Sequence, residues 1–158
     1  MRKLLSSGLA VFAGMVSLPV DLSLQQAIRL PIPDYRKDHR LERLRRFFQR
    51  TECPALAYAQ AFLEAADFYA LDWRLLPSIS FVESTGGKAA KNNNLFGWDS
   101  GQAGFTTPRA AIHLVGYRLT HSDLYRNKGT DEILATYNPS ADYADKVKQV
   151  MRSIAPRE

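Results

Sequence analysis

Hydrophobic residues recur three or four positions apart along much of this chain, a spacing typical of amphipathic α-helices. The pattern predicts helices over residues 39–50, 54–69 and 142–154. The last of these has a strong apolar stripe, formed by Tyr143, Ala144, Val147, Val150, Met151 and Ile154. The periodicity therefore indicates a domain built mainly from helices.

Capping signals predict two further helices. Thr107 is suited to cap a helix N-terminus and Pro108 to occupy its first position, and this helix extends to about His121. Thr130 caps a shorter helix that continues through Ala135.

The segment from Lys88 to Thr106 interrupts the helical pattern. It is rich in glycine and asparagine and contains Phe96, Trp98 and Phe105. This composition predicts a loop or a minimal β-hairpin, and aromatic side chains among amides suit a carbohydrate-binding surface. The predicted fold class is a mainly α domain with one short irregular or β-hairpin insertion.

The most hydrophobic stretch outside the N-terminus covers residues 71–84. Asp72 is suited to cap it, and Gly86 and Gly87 can supply the positive φ that ends a helix. Because this stretch is apolar on nearly every side, it predicts a buried central helix. Pro77 lies inside it and either bends the helix or marks where its regular part begins.

Glu83 brings a carboxylate to the C-terminal end of this predicted helix. The negative end of the helix dipole and apolar surroundings both disfavour a charged carboxylate. A carboxyl group that keeps its proton near neutral pH is what a general acid for glycosidic cleavage requires. Glu83 is therefore the first candidate for catalysis.

The N-terminus has the features of an export signal. Met1-Arg2-Lys3 is basic, and an uncharged, largely apolar stretch follows up to Val20. Residues 1–20 are therefore predicted to be a signal peptide or an uncleaved N-terminal anchor, residues 21–38 a linker and residues 39–158 the domain itself. The expected location is exported, either periplasmic or extracellular.

Composition narrows the choice of partner only slightly. The 158 residues carry a net charge of +5, which suits an anionic partner such as cell-wall polymer, an acidic membrane surface or nucleic acid. Cys53 is the single cysteine, so no intramolecular disulfide forms, and it is expected to be a small buried hydrophobic residue.

No motif for a metal or a cofactor is present. The three histidines are scattered and lack a zinc-ligand spacing. In the segment from Gly97 to Gly101 the serine stands one place too late for a nucleophile elbow. We therefore expect neither a cofactor nor a metal, and a carboxylate in a sugar-binding groove is the simplest chemistry that remains.

Three blocks, in this order and spacing, resemble the lysozyme-like superfamily. They are Glu83-Ser84 at a helix end, Asn92-Asn93-Asn94-Leu95-Phe96-Gly97-Trp98, and Ala135-Thr136-Tyr137-Asn138-Pro139 followed by Tyr143-Ala144. The chain is most similar to bacterial cell-wall glucosaminidases (glycoside hydrolase family 73) and, through Glu-Ser, to soluble lytic transglycosylases. The similarity covers roughly residues 54–154 and implies a lysozyme-like helical fold for the predicted catalytic domain.

The same resemblance implies roles for individual residues. Glu83 corresponds to the catalytic acid, and Tyr137 to a tyrosine whose hydroxyl lies across the cleft near the reacting sugar. Ser84 would steady the helix end. The predicted substrate-binding set, which includes the floor of the groove, is Ser84, Asn94, Phe96, Gly97, Trp98, Asn138 and Tyr143. For Phe96, core packing and sugar stacking are both open.

The chain departs from the common glycosidase pattern in its second carboxylate. Glycosidases usually place a base or nucleophile opposite the acid, and the insertion offers only Asp99, where a turn-forming role is the alternative. The remaining candidates lie in or beside the later helices: Asp123, Asp131, Glu132, Asp142 and Asp145. Without a second acid, either the substrate's own N-acetyl group or its 6-hydroxyl acts as the nucleophile.

The expected function is cleavage of the β-1,4 bond between amino sugars of peptidoglycan, with hydrolysis of the N-acetylglucosaminidase type favoured over lytic transglycosylation. The alternatives are a wall-binding protein without turnover and a basic membrane-surface or nucleic-acid module built on residues 39–50. Peptidoglycan glycan strands are the expected partner, nucleic acid is not, and the chain is expected to be monomeric. Peripheral or N-terminal membrane association stays open.

Overall fold

The computed structural model describes residues 33–156. The predicted signal peptide or anchor and the predicted linker up to residue 32 lie outside the described residues. Tyr35 falls within the predicted linker, yet it is buried and its hydroxyl donates a hydrogen bond to the Asp67 carboxylate over 3.0 Å. The helical domain therefore begins before residue 39, at about Asp34.

The described residues form six α-helices and no β-strand, which confirms the prediction of a mainly α fold. Two short 3-10 helices, Tyr35–Lys37 and Pro54–Tyr58, precede the first and the second α-helix. The α-helices are α1 (His39–Arg50), α2 (Ala59–Phe68), α3 (Leu75–Ser84), α4 (Pro108–His121), α5 (Thr130–Tyr137) and α6 (Tyr143–Ile154). The segment between α3 and α4, residues 85–107, consists of turns and loop, so the β-hairpin alternative is wrong.

The starts of α2, α3 and α5 differ from the prediction for local reasons. The segment predicted as one helix over 54–69 begins as a 3-10 helix. The Asp72 carboxylate accepts from Arg74 N at 2.9 Å, and α3 starts only after this turn. Its first turn then contains Pro77, where the missing N–H breaks no helical hydrogen bond. Gly129, not Thr130, is the N-cap of α5.

The core places α3 at the centre of the helical domain. Leu75, Leu76 and Ile79 have no solvent exposure, and α3 packs on α6. A row of phenylalanine rings crosses the core, with Phe48 and Phe62 at 5.6 Å between centroids and Phe62 and Phe96 at 6.4 Å. Because Phe96 belongs to this row, the core itself holds the insertion against the helices.

The basic helix α1 is partly neutralised by neighbouring acids. Arg40 forms ion pairs with Asp38 and Asp67, both at 2.7 Å, and Arg46 pairs with Glu42. Its buried face carries Leu41, Leu44, Phe47 and Phe48, as the periodicity predicts. In the part of the chain that the structure describes, no helix combines the length and the apolar character needed to cross a bilayer.

Candidate active site

Glu83 is the penultimate residue of α3, and its side chain is only partly exposed. The Tyr143 hydroxyl donates to Glu83 Oε1 over 2.7 Å. The second oxygen, Oε2, lies against the backbone of Gly97, so close that a Cβ at Gly97 would stand 2.7 Å from it. Within residues 33–156, Oε2 has no hydrogen-bond partner. One carboxylate oxygen is thus fixed, and the other is available to a ligand.

The end of α3 sets the position of this carboxylate. Thr85 adopts a left-handed conformation (φ 52°), ahead of the two glycines that the sequence suggested for this role. Its N–H and that of Gly86 donate to the carbonyls of Phe81 and Ser80, which closes the helix end. A Cβ on Gly86 would lie 2.8 Å from Cβ of the buried Cys53, so only glycine fits there.

Ser84 connects the helix end to the insertion. Its hydroxyl is buried, donates to the carbonyls of Leu95 (2.7 Å) and Ser80 (3.1 Å), and accepts from Gly87 N (3.0 Å). The Ser84 side chain therefore positions the backbone around Glu83 and is not exposed to a substrate.

We expect Ser84→Ala to destabilise the fold by about 1–3 kcal/mol, because it leaves the carbonyl of the buried Leu95 without its hydrogen-bond donor. Chemical denaturation measures this change. Ser140→Ala is a suitable control, because the Ser140 hydroxyl is exposed and bonds only to Asp142. Equal stability of both variants would contradict the role of Ser84.

Asn94 shapes the turn that contains Gly97. Its side-chain amide donates to Trp98 O over 2.9 Å and its oxygen accepts from Trp98 N over 3.0 Å. Asn94 is 4% exposed and Phe96 is 0% exposed, so both side chains lie beneath the surface of the insertion. The sugar-stacking alternative for Phe96 is therefore wrong, and its ring belongs to the core.

Two parallel tyrosines line the site. Tyr137 ends α5 and Tyr143 begins α6, and their ring planes differ by only 5° at a centroid distance of 5.9 Å. Tyr137 donates to the carbonyl of Phe96 over 2.5 Å, and Trp98 packs edge-on against its ring at 5.7 Å. The Asn138 side chain accepts from Ser140 N and so shapes the turn between the two helices.

Both tyrosine hydroxyls keep their protons. Burial, followed by the hydrogen bond to Glu83 and the charge of that carboxylate, raises the pKa of Tyr143 far above its usual value. Burial, followed by the charge of Glu83, raises the pKa of Tyr137 in the same direction. The raised pKa favours the protonated form of Tyr143, which is the form that donates to Glu83.

For the predicted glycosidase activity, we expect Tyr143→Phe to lower kcat by about tenfold, because it removes one hydrogen bond to the carboxylate of the predicted acid. Tyr35→Phe is the matched control, since it removes a tyrosine–carboxylate hydrogen bond of 3.0 Å to Asp67. Steady-state kinetics on glycan strands measures kcat of both variants. Equal rate losses in the two variants would show that the Tyr143 hydroxyl acts only on stability.

A pocket of about 450 Å³ opens beside Gly97 and Tyr137. Trp98 and Asp99 also line it, but Glu83 does not. Its remaining lining residues, which the sequence did not single out, are Ser100, Ala103, Arg118 and Tyr125. Arg118 is one of several basic residues that lie near a helix C-terminus, and Tyr125 belongs to no motif. The sequence therefore has no local feature that identifies either residue as part of a pocket.

None of the candidate second carboxylates contacts Glu83. Asp99 is exposed in the turn after Trp98, with a positive φ of 55°, and its role as a second acid stays a prediction. The others have partners elsewhere: Asp123 with Arg126, Asp131 and Asp145 with Lys148, Glu132 with Gly129 N, and Asp142 with Lys146. Among the described residues, no group of three or more His, Cys, Asp or Glu side chains could hold a metal ion.

The structure thus brings Glu83, Gly97, Trp98, Tyr137 and Tyr143 together from four separate parts of the chain. Comparisons with family models, with curated proteins and with solved structures find no match to this chain. Its function is therefore inferred from the chemistry of Glu83 and its neighbours.

Proposed function

We propose that this chain cleaves the β-1,4 bond between amino sugars in the glycan strand of peptidoglycan, with Glu83 as the general acid. The observation that carries the proposal is the environment of one carboxylate. Tyr143 fixes Glu83 Oε1, the bare backbone of Gly97 lies against Oε2, and aromatic side chains stand beside them. An orienting donor on one oxygen and an open second oxygen suit a group that passes a proton to a substrate.

The proposed reaction begins with proton transfer from Glu83 Oε2 to the glycosidic oxygen, as the bond from that oxygen to the anomeric carbon breaks. The positive charge that develops on the sugar is met by the carbonyl oxygen of its own N-acetyl group. The Glu83 carboxylate then takes a proton from water as the water attacks the anomeric carbon, which restores the acid and gives a reducing end. Tyr143 keeps its proton in every step and serves to orient the carboxylate.

A single-carboxylate mechanism is supported by the surroundings of Glu83. Retaining and inverting glycosidases place their second carboxyl group about 5–9.5 Å from the first, whereas five of the six candidates here are bound to other partners. This supports the N-acetylglucosaminidase-type hydrolase that we favour. Lytic transglycosylation, in which the 6-hydroxyl of the sugar replaces water, needs the same acid and is the alternative.

We further propose that the helical domain is lysozyme-like. A buried helix that ends in the acid, followed by an irregular insertion and a tyrosine from a later helix, supports this relationship. Such an activity requires access to the cell wall, and the basic, then apolar, first twenty residues support export.

Digestion of purified sacculi, followed by mass spectrometry of the soluble fragments, tests the proposal. Wild type should release fragments with N-acetylglucosamine at the reducing end. Fragments with 1,6-anhydro ends would show that the chain is a lytic transglycosylase and not a hydrolase. Pelleting of the chain with sacculi without any soluble sugar would replace both with a wall-binding protein.

A further inference from the structure

The pocket beside Gly97 and Tyr137 contains a pair of unused charges. Arg118 lies near the C-terminal end of α4, is exposed, and has no ion pair or side-chain hydrogen bond within the described range. The other arginine of α4, Arg109, pairs with Glu64. Asp99 lines the same pocket, and its carboxylate also has no partner among residues 33–156.

Aromatic rings and a hydrogen-bonded turn form the walls of the pocket around these charges. Trp98 packs against Tyr125 at a centroid distance of 6.3 Å and against Tyr137 at 5.7 Å. The turn that carries Asp99 is closed by hydrogen bonds from Gly101 N to Gly97 O and from Gln102 N to Asp99 O, both at 2.9 Å. The volume of about 450 Å³ lies within the roughly 300–1,000 Å³ typical of small-ligand sites.

The chemistry of this pocket does not match a neutral sugar. N-acetylglucosamine has hydroxyl and amide groups but no charge, and the lactyl carboxyl group of a muramoyl sugar is uncharged while it forms the amide bond to its peptide. The glycan backbone of a stem-bearing strand therefore has no charged partner for Arg118 or Asp99. The muramoyl sugar, however, bears a short peptide through its lactyl group. That peptide has carboxylates and, at its diamino acid, an amine, the two groups that an arginine and an aspartate recognise.

We propose that this pocket binds the peptide stem of a muramoyl residue next to the scissile bond. Arg118 pairs with a stem carboxylate, Asp99 with the stem amine, and the aromatic rings cover the peptide between them. The proposal rests on the proposed function for its substrate class, because the pocket begins at Gly97, which lies against Glu83, and at Tyr137, which stacks on the Glu83 partner Tyr143. The chain would thus act preferentially on strands whose peptides are still attached.

Two forms of the same strand test this preference: glycan with its peptide stems, and glycan from which an amidase has removed them. Wild type should cleave the stem-bearing form with about tenfold higher kcat/KM, and Arg118→Ala should lose that advantage while retaining its rate on the stripped form. Arg45→Ala, an exposed arginine on α1 without an ion pair in the described part of the chain, should behave as wild type. Equal rates of wild type on both forms would overturn the proposal and leave the enzymatic function intact.

Calorimetry of a soluble muramoyl peptide with the Glu83→Gln variant measures binding affinity without any cleavage. Arg118→Ala in that background should weaken binding by about tenfold. Asp99→Asn should weaken binding of the complete stem but not of a stem truncated before its diamino acid. Absence of binding would overturn the proposal. If binding depends on Arg118 but the wild type cleaves neither form of the strand, the stem-binding site is supported and the proposed enzymatic activity is refuted.

Discussion

Glu83→Gln is expected to lower the rate of glycan cleavage by about a thousandfold, in the middle of the range for loss of a positioned general acid. The glutamine has nearly the same shape, and its amide oxygen can still accept the hydrogen bond from Tyr143. The amide, however, has no acidic proton to give to the glycosidic oxygen. Release of soluble sugar from purified sacculi, at matched protein concentration, measures the loss.

The stability of this variant separates catalysis from folding. The glutamine side chain is partly exposed and keeps the hydrogen bond from Tyr143. We therefore expect the unfolding free energy of the variant to change by less than about 1 kcal/mol. Glu52→Gln is the control for a change of net charge, since Glu52 is exposed and has no ion pair in the described region. Comparable sugar release by wild type and Glu83→Gln would remove the catalytic role of Glu83.

The fold was predictable where the sequence carries local signals. The apolar period predicts α1 with both of its boundaries, and the Thr107-Pro108 pair predicts the start of α4, where the Thr107 hydroxyl accepts from Ala110 N over 3.1 Å. These features depend on residues within one helical turn of each other, so no knowledge of packing was needed.

The helix boundaries that were predicted wrongly are those where two neighbouring residues can each end or cap the helix. Thr85 takes the left-handed conformation although a β-branched residue disfavours it, and Gly86 follows with its own positive φ, packed against Cys53. At α5, the Glu132 carboxylate reaches back to Gly129 N and moves the cap one residue ahead of Thr130. Both outcomes follow from partners that a propensity argument does not include.

The site was predictable only in part, for a related reason. Glu83 follows from its position at the end of an apolar helix, but its hydrogen bond to Tyr143 spans 60 positions of the chain. The burial of Phe96 depends on the rings of Phe62 and Phe48 in two other helices. Arg118 enters the site only because α4 passes beside the insertion. Contacts of this kind have no signature in a single sequence.

Gly97 connects the backbone of the insertion with the chemistry of Glu83, because the absence of a side chain there is what allows the close approach. Gly97→Ala is expected to lower kcat by about a hundredfold, the effect of a displacement of a catalytic group by about 1 Å. The new Cβ would lie 2.7 Å from Glu83 Oε2, so the carboxylate must move away from its present place. Steady-state kinetics on glycan strands, together with thermal unfolding, measures both consequences.

Gly101→Ala supplies the matched control within the same turn. Both glycines have positive φ, 59° at Gly97 and 81° at Gly101, so alanine strains the backbone at either position, at a cost of about 1–2 kcal/mol. At Gly101, however, a Cβ meets no atom within 4 Å. We therefore expect both variants to lose similar stability while only Gly97→Ala loses turnover. If the two lose turnover equally, backbone strain in the turn is sufficient to explain the loss, and the close approach of Gly97 to Oε2 has no separate role in catalysis.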